Sequence, residues 1–228
     1  MHAHDITLTA ADGFEFTAYE VEPEGPPKGA IVVLQEIFGV NSHIRQVAEG
    51  YAAAGYYVLA PHTFSRVRKD VELGYSGPDM NEGVRLKAAV EALPAPGVLQ
   101  DIQAAVQQAA QSGKVGIVGY CWGGLLVWRS AALVKGLSAA AVYYGGGATT
   151  EAEIARQPQV PTIAHFGDHD GHISVPSVEA LKAAHPDVAV YRYDADHGFN
   201  CDQRGSYNQA AADLARERTL AFFKEHIG

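Results

Sequence analysis

Cysteine is scarce in this chain: Cys121 and Cys201 are the only two among 228 residues. Two thiols so far apart make no disulfide framework, and the expected setting is a reducing cytoplasm. Long apolar runs are also missing. Hydrophobic residues make up 47% of the chain, yet no uninterrupted stretch is long enough to span a bilayer. The opening Met1-His2-Ala3-His4-Asp5 lacks the basic and apolar segments of a secretory signal. Positive charge is in short supply: 17 Lys and Arg face 26 Asp and Glu, a formal net charge of −9. That balance argues against a nucleic-acid partner and an anionic membrane surface. It leaves room for an anionic small molecule held by a few local arginines. Repeats and low-complexity tracts are absent. The length suits one domain over 1–228, as a monomer or small homo-oligomer.

What is present alternates in rhythm. Asp5–Thr9 and Glu15–Val21 flank the turn Asp12-Gly13 and predict an antiparallel hairpin. Short continuous apolar runs follow, at Ala30–Gln35, Tyr56–Ala60, Val115–Gly119, Ala139–Tyr144 and Thr162–Phe166, with Val188–Tyr193 as a last strand. Helical stretches lie between them: Asn41 to Ala54, Met80–Ala92, Leu99–Gln111, Leu125–Val134 and Val178–Ala184, then one from about Tyr207 to Lys224. Strand and helix in alternation imply an α/β fold, a mostly parallel, doubly wound sheet with helices on both faces. Residues 62–80 show no period and are expected to form a loop or cap near the site.

Such sheets bind ligands at the carboxyl ends of their strands. Gly119-Tyr120-Cys121-Trp122-Gly123-Gly124 sits at one such end and opens a helix. It is G-x-C-x-G, the cysteine form of the nucleophile elbow. The sharp turn tolerates no bulk two residues either side of the nucleophile, and Gly119 and Gly123 meet that demand. A helix N-terminus behind the thiol favours thiolate. The elbow implies an acid and then a histidine further along. Asp168 and Asp170 both follow the strand Thr162–Phe166. Asp170, farther into its loop, is the preferred acid. His197 follows the last strand and precedes the last helix, where the base belongs.

Gln35-Glu36-Ile37-Phe38-Gly39 ends the first buried strand. The backbone N–H groups of Ile37 and Trp122 are the expected oxyanion donors. Glu36 reads equally as a solvated strand-end residue or as a carboxylate that tunes the thiol.

These segments resemble the dienelactone hydrolase family. The resemblance is carried by Gln35 through Asn41, Gly119 through Gly124, Gly167 through Asp170, and His197-Gly198-Phe199. It implies an eight-stranded α/β-hydrolase fold and a Cys-Asp-His triad falling on Cys121, Asp170 and His197. It also implies that Glu36 contacts the resting cysteine. The family clamps its substrate carboxylate with two arginines. One clamp position, four after His197, is Cys201 here; Arg204 and Arg85 are the candidates. Tyr144, with Tyr19, Tyr75, Tyr143 and Trp122, is a candidate pocket aromatic.

The expected substrate is a small ester or lactone, with neither cofactor nor metal required. A thiolate leaves as readily as it attacks, so enol and aryl esters are expected over amides. A metal held by His165, His169 and His172 is disfavoured because Gly167 and Gly171 break any helix between them. A broad carboxylesterase of the same mechanism is the alternative, and a thiol redox protein pairing Cys121 with Cys201 is a third.

Overall fold

The computed structural model describes residues 1–228. Eight strands form one sheet: β1 (His2–Thr9), β2 (Glu15–Glu22), β3 (Ala30–Leu34), β4 (Tyr57–Pro61), β5 (Val115–Tyr120), β6 (Leu137–Tyr143), β7 (Thr162–Gly167) and β8 (Ala189–Tyr193), in spatial order β1-β2-β4-β3-β5-β6-β7-β8. The first two form the expected hairpin, and β2 joins β4 antiparallel. Every later pairing is parallel. The all-apolar runs occupy the middle: β3, β4 and β5 are buried at every position.

Seven α-helices flank the sheet: α1 (Ser42–Ala53), α2 (Gly77–Glu91), α3 (Leu99–Ala109), α4 (Trp122–Leu133), α5 (Glu151–Ile154), α6 (Val175–Ala184) and α7 (Gln209–Ile227). The glycines of β5 show how both faces are covered. A Cβ on Gly116 would meet Phe223 of α7 at 2.8 Å, and one on Gly119 would meet Gly123 O of α4 at 2.3 Å. An odd spacing along a strand places side chains on opposite faces, so α7 and α4 lie on opposite sides of the sheet.

Several elements differ from expectation, some for identifiable reasons. Helix α2 starts at Gly77 rather than Met80, because Ser76 and Asp79 form a capping box and Pro78 suits the first turn. Helix α4 starts at Trp122 rather than Leu125: Gly123 and Gly124 are helical, there to permit close backbone approach. Helix α5 is a single turn with no apolar period to announce it. Residues 62–76 form an irregular loop rather than a separate cap, pinned by buried Phe64 and Val71.

This topology positions the site. After β3 the chain adds β4 on one side, then returns to place β5 on the other. The crevice between the carboxyl ends of β3 and β5 is the switch point, where open α/β sheets hold their ligands. Leu34 of β3 pairs with Gly119 of β5, so the Gln35–Phe38 loop and the Cys121 turn leave the sheet side by side.

Candidate active site

Cys121 lies between β5 and α4 with φ 56° and ψ −117°. Residues with a Cβ rarely adopt positive φ, and holding one there costs on the order of 1–3 kcal/mol. The surroundings compel it. Cys121 N–H donates to Tyr143 O at 3.0 Å, and Cys121 O accepts from Gly124 and Gly146 N–H at 3.0 and 3.3 Å. A Cβ on Gly123 would fall 2.5 Å from both Leu34 O and Gln35 O. Gly123→Ala must push backbone apart. It is expected to cost about 3 kcal/mol, a fall of roughly 6–12 °C in Tm, measurable by thermal unfolding.

His197, after β8, has Nδ1 2.7 Å from Asp170 Oδ2. The other Asp170 oxygen accepts His172 N–H at 2.8 Å, and the side chains of His197 and Asp170 are almost fully buried. Burial opposes the imidazolium. The hydrogen bond to Asp170 and the neighbouring Cys121 sulfur outweigh it and raise His197 from 6.5 to about 10. Asp168 is turned elsewhere, pairing with Arg192 at 2.6 Å, so of the two aspartates only Asp170 meets the histidine.

The Ile37 and Trp122 N–H groups have no acceptor in the chain. For Trp122 this follows from its place as the first residue of α4, where helix donors are orphaned. Its indole stacks on Phe64 at 5.1 Å and donates to Glu91 at 2.8 Å, locking the turn from behind.

Glu36 is no solvated strand-end residue. Its side chain is 1% exposed, and Oε1 accepts from Arg204 Nη1 at 3.2 Å. Gly198, at φ 78°, lets the guanidinium pass: a Cβ there would sit 2.5 Å from Arg204 Nη1. Breaking a buried pair strands a charge, so Arg204→Met is expected to destabilise by about 3–5 kcal/mol. Adding Glu36→Gln should recover most of that loss in denaturant unfolding.

A cleft of about 440 Å³ opens over Cys121 and His197. Its walls include Ile37, Phe38, Leu125, His172 and Arg204, with Lys87 and Glu91 from α2. Two of the substrate-binding expectations are corrected here. Arg85 points to solvent from α2, 62% exposed and held by Glu82 at 2.7 Å; its helical position turns it off the cleft, whereas Lys87 reaches it. Tyr144 is fully buried, its ring 5.2 Å from that of His197. Nor do Tyr19, Tyr75, Tyr143 or Trp122 line the cleft; they are packing aromatics. Lys87 and His172 went unassigned as cleft-lining residues because only the docking of α2 and of the Asp170 loop turns them inward, and Leu125 reaches the cleft from α4, one turn after Cys121.

The metal-site histidines do not converge. His165 is buried, bonded to Tyr193 and Thr219, and lowered to about 3 by burial and then by Arg218. His169 is exposed beside Asp194, and His172 edges onto His197. Both cysteines are free, and Cys201 is fully buried.

A mostly parallel eight-stranded sheet with the strained Cys121 turn at its switch point and an Asp170–His197 pair in the loops after β7 and β8 defines an α/β-hydrolase. Residues 16–227 match the Dienelactone hydrolase family, and the chain belongs to that family, as a hydrolase of carboxylic esters or lactones. A carboxymethylenebutenolidase of Pseudomonas putida is 32% identical, covering 97% of this chain and 96% of its own. A Synechocystis protein provisionally named a carboxymethylenebutenolidase is 33% identical, covering 86% of each. The crystal structure of a Klebsiella pneumoniae protein, provisionally named a dienelactone hydrolase, superposes with a TM-score of 0.82 at 28% identity, covering 99% of this chain and 100% of its own. No helix is long and apolar enough to cross a membrane.

Proposed function

We propose that the chain hydrolyses small activated esters or lactones through an acyl-enzyme on Cys121. The observation that carries this reading is the strained Cys121 turn facing the same cleft as His197, whose ring is bonded to buried Asp170 behind it. The Cys121 thiolate attacks the carbonyl carbon, forming the C–S bond and placing the electron pair on oxygen. The N–H groups of Ile37 and Trp122 meet that oxyanion. Collapse breaks the C–O bond, and the imidazolium of His197 protonates the departing oxygen. Water then attacks the thioester, gives its proton to His197, and the thiolate leaves with the acid released.

Thiolate and alkoxide compete as leaving groups. Aryl esters and enol lactones win against sulfur; amides do not. Aryl-ester hydrolysis is expected to exceed that of the matching anilide by at least about 10³-fold, roughly 4 kcal/mol of barrier. For substrate charge, Arg204 and Lys87 are the Arg and Lys side chains on the cleft wall, although Glu36 already engages Arg204, and Arg85 stands apart. With no pair of free arginines facing the cleft, a broad carboxylesterase or lactonase is favoured over an enzyme confined to dienelactone.

The test is direct trapping. Rapid quenching with a slowly deacylating aryl ester should add one acyl group, found by mass spectrometry on the peptide bearing Cys121. An acyl group carried by any other residue would refute the assignment.

A further inference from the structure

Behind the triad lies a group of side chains that hydrolysis does not use as a set. A carboxylate oxygen of Glu36, a ring nitrogen of His43 and the sulfur of Cys201 all lie within 4.8 Å of one another, and all three residues are buried. They come from separate segments: the end of β3, the first turn of α1 and the loop before α7. Glu36 Oε2 and His43 Nε2 are buried without any hydrogen-bond partner. Buried polar atoms are nearly always satisfied, so two bare ones beside a thiol mark a place for a ligand.

We propose that Glu36, His43 and Cys201 bind a divalent cation of the zinc class. One oxygen, one imidazole nitrogen and one sulfur suit a borderline cation and not magnesium or calcium, which take oxygen ligands. Binding breaks the Cys201 S–H bond, forms the metal–sulfur bond and releases the proton to solvent. Thiolate and carboxylate together then neutralise the ion, which matters because Arg204 already supplies a positive charge at Glu36 Oε1.

The outer contacts fit the same reading. Asp202 Oδ1 lies 3.3 Å from His43 Nδ1. A carboxylate there favours the tautomer protonated at Nδ1 and frees the Nε2 lone pair for the ion, the arrangement seen behind metal-binding histidines. His43 and Asp202 also line a surface cleft of about 220 Å³ between α1 and α7. That cleft gives an ion a way in that avoids the ester cleft.

Cobalt(II) is the probe, because its absorption reports a bound thiolate whether or not the enzyme turns over. Reduced, chelator-treated protein should take up one Co²⁺ per chain with a thiolate-to-cobalt charge-transfer band in the near ultraviolet, displaced by Zn²⁺. Cys121→Ala should keep the band, and Cys201→Ser should lose it. Asp202→Asn should weaken Co²⁺ binding by about 10–100-fold, and His43→Gln by at least about 10-fold. A wild type without the band would overturn the site. So would a band lost in Cys121→Ala and kept in Cys201→Ser, which would put the ion on the nucleophile. Should Cys201→Ser not fold, His43→Gln decides, and unchanged affinity there overturns the proposal. Loss of esterase activity bears on none of these readouts, so this site and the acyl-enzyme fail separately.

Discussion

Cys121→Ala should hydrolyse aryl esters at least about 10⁴-fold more slowly than the parent chain, with its fold intact. Removing the nucleophile from a triad enzyme leaves only the contribution of binding and the oxyanion donors, and losses of this size or greater are the rule. Steady-state kinetics with an aryl ester measures it; a variant retaining its rate would end the proposed mechanism. Stability should separate from activity at this residue. Alanine keeps the Cβ, so the strain of φ 56° remains and Tm should barely move. Cys121→Gly should be equally inactive yet more stable, by about 1 kcal/mol, as relief of strain exceeds the entropic cost of glycine. An inactive variant that gains stability would identify the turn as a place where the fold holds strain for the sake of the sulfur.

Asp170→Asn is expected to lower kcat by about 10⁴-fold and to alter the pH dependence of both rate and stability. An amide can hold the ring in place, but it cannot enforce the tautomer or balance the imidazolium. His197 sits near 10 in the fold against an ordinary 6.5. A raised value means that the charged ring stabilises the fold fully below about pH 6.5, and that this contribution is lost as pH climbs towards 10. Asp170→Asn should flatten that decline in Tm. It should also draw the alkaline limb of the rate profile towards neutrality, because the imidazolium needed by the leaving oxygen is lost sooner. An unchanged alkaline limb would show that Asp170 does not support His197.

How much of this was legible beforehand follows from the range of each interaction. Strand and helix types were readable because burial on two faces requires continuous apolar runs and burial on one face requires a period. The Cys121 turn was readable because a turn this tight needs glycines two residues away on both sides, and Gly119 and Gly123 are local. Asp170 is preferred to Asp168 for lying farther into its loop, but the physical reason is not local. Both end the same strand, and the choice depends on Arg192 of β8 capturing one of them. Arg85 misled for a related reason: it lies on the helix that borders the cleft, but two residues along a helix rotate a side chain well round the axis, and it is Lys87 that faces in.

The sequence alone determined the alternating architecture and the Cys121 turn, both set by burial and backbone sterics within a few neighbouring residues. Only the tertiary structure decided that Glu36 is buried against Arg204, that Tyr144 packs against the His197 ring, and that His43 and Cys201 meet Glu36. Those outcomes depend on segments far apart in the chain being packed together, and burial and charge pairing between such segments leave no local periodicity to read.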